Sequence, residues 1–317
     1  MKVLVLTGVD EAQKKQLEAQ APSAEFVYAT RETAAGYLEG CDVIIGNPPA
    51  GRLKDIPSLK LLQLESAGTG DYALPGVLPE GAVLTNATGA YGLAISEHML
   101  GMLLELYKKL HLYRDRQRES VWGDEGMVKA VYGSVALIVG LGDIGGEFAR
   151  RIHALGGYTI GVRRQNTDKP DYLDELYRQD QLDELLPRAD IVALSVPATP
   201  QTRHIIDAAR VARMKEGAVL LNVGRGNAVD TDALCDALES GRLWGAGLDV
   251  TDPEPLPASH RLWRIPNCVI TPHVSGGRHL AATFDKILDI SCRNLKAFVA
   301  GEPLTNVVDF ATGYRKL

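Results

Sequence analysis

The chain has 317 residues, of which 45% are hydrophobic and 23% are charged, and its formal net charge is −6. This length suits about two domains, and the composition is ordinary for a globular enzyme. The acidic balance argues against a nucleic-acid partner, because neutralising phosphates requires a basic face. Since no apolar run approaches the roughly 20 residues of a membrane span, we expect no membrane partner.

The N-terminal sequence and the cysteines both favour a cytoplasmic location. Residues 1–8 combine a short apolar run with one positive charge and no cleavage site, which predicts a first strand rather than a signal peptide. The cysteines lie far apart and form no metal-type pair, so we expect reduced thiols and no bound metal. They are Cys41, Cys235, Cys268 and Cys292.

Short apolar runs alternate with helical segments before residue 90, which predicts a parallel sheet. The predicted strands are Lys2–Leu6, Glu25–Ala29, Asp42–Gly46, Leu59–Leu64 and Ala82–Thr85, with a helix at Glu11–Ala19. The next segment, Gly92–Arg118, has no proline and a 3.6-residue apolar period, which predicts one long helix. That helix either bridges two domains or lies within one, and both interpretations stay open.

A dinucleotide-binding fingerprint follows the long helix. Val135–Val139 is an unbroken apolar run, and Gly140, Gly142 and Gly145 follow it in the order Gly-x-Gly-x-x-Gly. A helical pattern then covers Glu147–Leu155. Strand, glycine turn and helix are the context in which backbone amides and a helix N-terminus bind a pyrophosphate. An empty glycine turn is the alternative, and the flanking elements favour the dinucleotide.

Strands and helices continue to alternate after the fingerprint, which predicts a doubly wound sheet with ligands at the carboxyl ends of its strands. Predicted strands are Tyr158–Val162, Asp190–Val196, Ala218–Val223, Trp244–Asp249 and Val269–Thr271, and predicted helices are Thr231–Ser240 and Arg278–Ala300.

The second strand of this sheet bears on the choice of cofactor. An NAD-preferring site usually has a carboxylate at its end, where this chain has Arg163 and Arg164. Arginines can pair with a 2′-phosphate, so the sequence favours NADP(H). NAD(H) remains open because an arginine can also stack on adenine.

Three polar side chains follow predicted strands further along the chain: Arg225, Glu254 and His273. Each alone is typical of a surface loop. Because the carboxyl ends of parallel strands meet at one edge of a sheet, their joint occurrence after a dinucleotide turn indicates an active site.

The chain resembles the D-isomer-specific 2-hydroxyacid dehydrogenase family over most of its length. The blocks that carry the resemblance are Ser66–Tyr72, Asn86–Gly89, Gly140–Gly145, Pro197–Thr202, Asn222–Gly226, Gly245–Val250, Asp252–Pro255 and Asn267–His273. Their order and spacing are far more specific than any single block.

The resemblance implies a role for each polar residue. His273 would be the acid that protonates a carbonyl oxygen in reduction and the base in oxidation, and Glu254 beside it would favour the imidazolium. Arg225 would bind the carboxylate of a 2-oxo acid, as would the amides of Ala67 and Gly68.

The resemblance also implies a set of cofactor contacts, in which Asp249 would meet the nicotinamide carboxamide. The implied contact residues are Gly140, Gly142, Asp143, Ile144, Gly145, Arg163, Arg164, Pro197, Thr202, Val223, Gly224, Asp249 and Ser275.

In fold class the resemblance implies an α/β protein with two Rossmann-like, doubly wound parallel sheets. A flavodoxin-like substrate domain would comprise residues 1–97 and 287–317, so it would be discontinuous, and residues 98–286 would form the dinucleotide-binding domain. Family members usually form homodimers through the cofactor domain and the long-helix region.

Other functions stay open at this point. Formate dehydrogenases share the architecture but carry glutamine where Glu254 stands, whereas phosphite-oxidising relatives keep all three polar residues. A dinucleotide-sensing protein of the corepressor type would bind the nucleotide without turnover. The particular 2-oxo acid is not readable; we expect selectivity near Asn47, Tyr72, Tyr91 and Trp122. Thr251 stands where the family often has an aromatic residue.

Overall fold

A computed structural model describes residues 1–164, 168–277 and 279–310. The strands are β1 (Lys2–Val5), β2 (Glu25–Tyr28), β3 (Val43–Ile45), β4 (Leu61–Gln63), β5 (Val83–Thr85), β6 (Val135–Val139), β7 (Tyr158–Arg163), β8 (Glu175–Arg178), β9 (Ile191–Leu194), β10 (Val219–Asn222), β11 (Gly245–Leu248) and β12 (Cys268–Ile270). The helices are α1 (Glu11–Glu18), α2 (Gly92–Lys108), α3 (Leu110–Arg118), α4 (Asp143–Ala154), α5 (Leu182–Leu185), α6 (Ala208–Arg213), α7 (Thr231–Glu239) and α8 (Ala281–Ala300).

The chain divides into two compact units. Unit 1 comprises Met1–Tyr91 and the segment from Arg278 onward, and unit 2 comprises Gly92–Gly277. Residues 97 and 286, where the expected domains meet, lie inside α2 and α8, and each of these helices falls wholly within one unit. The expected domain bounds stay a prediction. Arg278, where the last helix was predicted to begin, and residues 311–317 lie outside the described residues.

Unit 1 is built on a parallel sheet with the strand order β2-β1-β3-β4-β5, which is the flavodoxin-like order. The two faces of β1 enter different cores. Val3 and Val5 pack with Leu17 of α1 and Leu288 of α8, whereas Leu4 packs on the other face. That other face is covered by loops and short 3-10 turns, which include Ala34–Gly36, Ala50–Asp55 and Gly70–Ala73.

Unit 2 contains a parallel sheet with the order β12-β11-β10-β9-β6-β7-β8. Helices α2 and α4 pack together, and α2 also contacts β10 and β11. Leu182, Val211 and Leu234, from α5, α6 and α7, bury their side chains in a core with Leu137 of β6. The strand order reverses between β6 and β9, and such switch points are where doubly wound sheets bind ligands. The predicted fold class is therefore confirmed.

The prediction of one long helix over Gly92–Arg118 is wrong in one respect, because the helix is interrupted at Lys109. This residue has a φ of 57°, in the left-handed region. The carbonyl of Leu106 accepts hydrogen bonds from the Lys109 amide at 3.3 Å and from Nε1 of Trp244 at 3.0 Å. Helix α2 therefore ends there, and both α2 and α3 belong to unit 2.

Strand β8 was not predicted from the sequence. Its segment Glu175–Arg178 lies at the edge of the sheet next to β7 and is partly exposed, and it lacks the apolar run of a buried strand. Across the described ranges, we find no helix with both the length and the apolar character needed to span a membrane.

Candidate active site

The turn between β6 and α4 has the backbone geometry that its glycines predict. Gly140 has a φ of 96°, which disfavours any side chain. A Cβ on Gly145 would lie 1.9 Å from the carbonyl oxygen of Gly140, so helix and strand can approach only with glycine there. Gly142, directly before α4, faces open space. The turn and the helix N-terminus therefore form a cradle that fits a dinucleotide pyrophosphate.

Predicted cofactor residues at the end of β7 and the start of α4 lie next to this turn. Arg163 ends β7, and its Nη2 donates to the carbonyl of Leu141 at 3.1 Å, so the guanidinium lies at the glycine turn. Arg164 follows it and is exposed. Asp143 opens α4, and its carboxylate accepts a 2.7 Å hydrogen bond from the amide of Gly92 at the start of α2. Sequence reasoning missed this contact between two helix N-termini. Ile144 lies in the first turn of α4.

The loops after β9 and β10 pack closely at the carboxyl edge of the same sheet. Thr202 is buried, and its hydroxyl donates to the carbonyl of Pro197 at 2.6 Å, which closes the turn after β9. The Val223 amide bonds to the carbonyl of Leu194 at 3.1 Å. A Cβ on Gly224 would lie 2.5 Å from the Val196 carbonyl, so only glycine permits this approach.

Arg225 is half-buried directly after β10, in a loop that Asn222 stabilises. The Asn222 side chain donates to the Arg225 carbonyl at 2.9 Å and accepts from the amide of Gly224 at 3.0 Å. The next residue, Gly226, packs so tightly that a Cβ would lie 1.9 Å from the carbonyl oxygen of Thr251. The loop with Arg225 therefore touches the segment that leads to Glu254.

His273 and Glu254 form the pair that the sequence predicted. Nδ1 of His273 lies 2.6 Å from Oε1 of Glu254, and the two side chains are 45% and 42% exposed. His273 has a φ of 52°, an uncommon backbone conformation for a residue other than glycine. With Nδ1 engaged by a carboxylate, Nε2 is the nitrogen left for proton transfer.

Asp249 is buried, with 1% of its side chain exposed. Its carboxylate accepts hydrogen bonds from Thr271 Oγ1 at 2.6 Å, from the Val274 amide at 2.9 Å and from Ser275 Oγ at 2.5 Å. It thereby organises the loop that carries His273. The contact expected between Asp249 and a nicotinamide stays a prediction. Sequence reasoning missed Thr271 and also His98, whose Nε2 lies 2.9 Å from Thr271 Oγ1.

The predicted substrate loop of unit 1, residues 65–68, has its backbone carbonyls bonded to donors of the same unit. The carbonyls of residues 65–68 accept, in order, from the Tyr91 hydroxyl at 2.5 Å, the Ala87 amide at 3.0 Å, the Asn86 side chain at 2.7 Å and the Ser66 hydroxyl at 2.7 Å. Among the described residues, no acceptor takes the amide of Ala67 or Gly68. These amides are therefore free to donate to an anion.

Three of the side chains near which we expect selectivity also support the substrate loop or its neighbourhood. Asn47 accepts from the amide of Glu65 at 3.0 Å, and Tyr91 bonds the same residue's carbonyl. The Tyr72 hydroxyl donates to Pro48 at 2.6 Å, and burial raises the pKa of this phenol. Trp122, by contrast, is fully exposed. Within the described ranges, no group of three or more histidine, cysteine or acidic residues could hold a metal ion.

Fold and site together define a nicotinamide-dinucleotide oxidoreductase. A sequence profile described as "D-isomer specific 2-hydroxyacid dehydrogenase, NAD binding domain" matches residues 100–275. A glycerate dehydrogenase of Methylorubrum extorquens is 30% identical, over 88% of this chain and 89% of that protein.

Two solved structures agree over nearly the whole length. A D-isomer-specific 2-hydroxyacid dehydrogenase family protein of Aeromonas salmonicida is 33% identical with a TM-score of 0.84, over 98% of this chain and 99% of that one. An NADPH-dependent glyoxylate/hydroxypyruvate reductase of Sinorhizobium meliloti, in complex with NADP and sulfate, is 28% identical with a TM-score of 0.83, over 99% of each chain.

The chain belongs to the D-isomer-specific 2-hydroxyacid dehydrogenase family. It is an NAD(P)-dependent enzyme that acts on small 2-hydroxy or 2-oxo acids.

Proposed function

We propose that the enzyme reduces a short 2-oxo acid, such as glyoxylate or hydroxypyruvate, to its D-2-hydroxy acid, with His273 as the proton donor. The observation that carries this proposal is the 2.6 Å contact between His273 Nδ1 and Glu254 Oε1 at the carboxyl edge of the unit 2 sheet. The proposal has indirect support in relatives named glyoxylate reductase and glyoxylate/hydroxypyruvate reductase.

In this mechanism the protein holds and moves a proton. When bound, the nicotinamide supplies the hydride in reduction and accepts it in oxidation. Glu254 fixes the imidazole ring and favours its charged form, so Nε2 of His273 gives its proton to the carbonyl oxygen as negative charge develops there. In the reverse direction the neutral Nε2 takes the proton of the hydroxyl group.

Two groups of donors are proposed to bind the substrate carboxylate. Arg225 offers a planar fork of N–H donors, and Asn222 holds its backbone. The amides of Ala67 and Gly68, which have no acceptor among the described residues, offer a second set.

Variants of Glu254 and Arg225 test these assignments. Glu254→Gln keeps an acceptor beside His273 but removes the charge, so we expect kcat to fall about 100-fold. Arg225→Lys keeps the charge but loses the fork, so we expect the KM for the 2-oxo acid to rise at least about tenfold.

An exposed arginine, Arg178, provides the control, and Arg178→Ala should match the wild type. Tight NADPH binding without turnover of any 2-oxo acid by the wild type would instead favour the dinucleotide-sensing alternative.

We further propose NADP(H) as the preferred cofactor. The support is the position of Arg163 at the glycine turn, followed by the exposed Arg164. Replacing both by alanine should lower the ratio of kcat/KM with NADPH to kcat/KM with NADH at least about tenfold, because two phosphate-pairing cations are lost. An unchanged ratio would contradict the preference and leave NAD(H) as the alternative.

We also propose a homodimer. Residues 121–132 of unit 2 expose a run of apolar side chains, and Trp122 and Tyr132 are 105% and 82% exposed. Exposed apolar patches of this kind mark association surfaces. Sedimentation should give twice the monomer mass for the wild type and a lower mass for Trp122→Ser.

We propose a cytoplasmic location as well. The unpaired cysteines fit its reducing conditions.

A further inference from the structure

His98 is a histidine of unit 2 that the proposed mechanism does not use. It lies on α2, and its side chain is 26% exposed. Its Nε2 lies 2.9 Å from Thr271 Oγ1 and 3.9 Å from Oδ1 of Asp249. Thr271 lies two residues before His273, so His98 reaches the loop that carries the proposed proton donor.

The hydrogen bonds at Thr271 have a fixed direction. A threonine hydroxyl has a single proton, and at Thr271 this proton goes to Oδ1 of Asp249 over 2.6 Å. The same oxygen can therefore only accept from His98, so Nε2 of His98 carries a proton and donates it. The hydrogen-bonded chain runs from His98 through Thr271 to Asp249.

This chain ends on the carboxylate that orders the loop. Asp249 also accepts from the amides of Val274 and Ser275, at 2.9 and 3.2 Å. The amide of His273 donates to the backbone carbonyl of Asp249 at 2.8 Å. A left-handed backbone is unfavourable at a residue other than glycine, so the surroundings must hold His273 there.

We propose that His98 is a positioning residue for His273. By donating to Thr271 it directs the threonine hydroxyl onto Asp249, and Asp249 in turn fixes the backbone from which the imidazole of His273 reaches Glu254. The hydrogen bonds of this proposal lie within unit 2, whereas its effect on turnover rests on the proposed function.

Steady-state kinetics with NADPH and glyoxylate test the effect on turnover. His98→Ala should lower kcat about 10- to 100-fold, because small displacements of a reacting group cost this much. The KM for glyoxylate should stay within about twofold, since the proposed carboxylate donors are untouched. His98→Gln should restore most of kcat, because its amide nitrogen can donate from nearly the position of the imidazole Nε2. His153→Ala, at a half-exposed histidine of α4, should match the wild type.

A double-mutant cycle tests the route through Thr271. Thr271→Val should match His98→Ala, Thr271→Ser should keep most of the activity, and the His98→Ala/Thr271→Val double variant should lose no more than either single variant. Additive losses, or a wild-type kcat in His98→Ala, would overturn the proposal.

Amide hydrogen exchange gives a readout that needs no turnover. The amides of Val274 and Ser275 should exchange at least about tenfold faster in His98→Ala and at the wild-type rate in His98→Gln. If the wild type reduces no 2-oxo acid, the proposed function fails, while this exchange pattern still supports the role of His98. Equal exchange in all three proteins overturns that role whatever the activity.

Discussion

Single residues in this protein matter most where two loops of the site touch. Gly226 joins the loop of Arg225 to the backbone of Thr251, and a methyl group at position 226 would lie 1.9 Å from that carbonyl oxygen. The neighbour is backbone, so no side-chain rotation can relieve the clash. The loops of Arg225 and Glu254 can therefore lie this close only because Gly226 has no Cβ.

We expect Gly226→Ala to lower the free energy of unfolding by about 2 kcal/mol or more, because overpacking forces the backbone to shift. The turnover of NADPH with a 2-oxo acid should fall as well. Thermal unfolding measures the first effect. Gly101→Ala is the matched control, since Gly101 lies in α2 with no atom within 4 Å of an added Cβ. That variant should be as stable as the wild type or about 1 kcal/mol more stable. Equal melting temperatures for both variants would contradict the clash.

The residues of the site could be predicted to very different extents. Arg225, Glu254 and His273 follow apolar runs, and their spacing matches a family, so the sequence alone selects them as candidates. His98 and Thr271 gave no comparable signal, because a histidine on an amphipathic helix and a threonine after a strand are both ordinary patterns. Their relation depends on contacts between elements far apart in the chain, which only the fold brings together.

Among the elements, the strands buried on both faces were the easiest to predict. Val135–Val139 is an example, since its apolar run and the glycine turn after it both indicate a strand. Edge strand β8 lacks such a run, and the break at Lys109 depends on a hydrogen bond from Trp244, which is remote in sequence. Local sequence patterns therefore predict the central strands of each sheet better than its edge strands or the ends of helices.

Helix α8 returns the chain to unit 1 and is linked there by a buried polar group. Asn294 is fully buried, and its side chain donates to Gln63 Oε1 at 2.6 Å and to the Thr305 carbonyl at 3.0 Å. Its oxygen accepts from the amide of Thr305 at 2.8 Å. One side chain therefore ties the helix and the segment after it to β4.

We expect Asn294→Ala to lower the free energy of unfolding by about 2–3 kcal/mol, because it removes the buried hydrogen bond to Gln63 and the part-buried bonds to the backbone of Thr305. Urea unfolding followed by circular dichroism provides the measurement. The neighbouring Arg293, more than half exposed and paired with Asp289, offers a control. Arg293→Ala should change stability by less than about 0.5 kcal/mol. A similar midpoint for both variants would show that the polar link does not stabilise unit 1.

At the scale of the whole molecule, the cysteines report on how tightly both units are packed. Burial raises the pKa of Cys268 to about 12 and that of Cys292 to about 11. Burial also raises the pKa of Cys41 and of Cys235. Because a thiol reacts as its thiolate, none of these side chains should be reactive in the folded protein near pH 8.

A thiol-specific reagent such as dithionitrobenzoate should therefore find no fast-reacting thiol in the native protein and all four in guanidinium chloride. The raised pKa values also predict that stability is lost above about pH 8.5, where the unfolded chain releases thiol protons that the folded protein retains. A rapidly reacting thiol in the native protein would show that one unit opens readily.

The proposed reduction of a 2-oxo acid by NADPH depends above all on His273 as the proton donor. The most direct test follows the loss of NADPH absorbance with glyoxylate, hydroxypyruvate and pyruvate, for the wild type and for His273→Ala. We expect turnover of at least one acid by the wild type and a loss of about 100-fold or more in the variant, with NADPH binding unchanged by fluorescence. Full activity in His273→Ala would contradict the assignment of the proton donor.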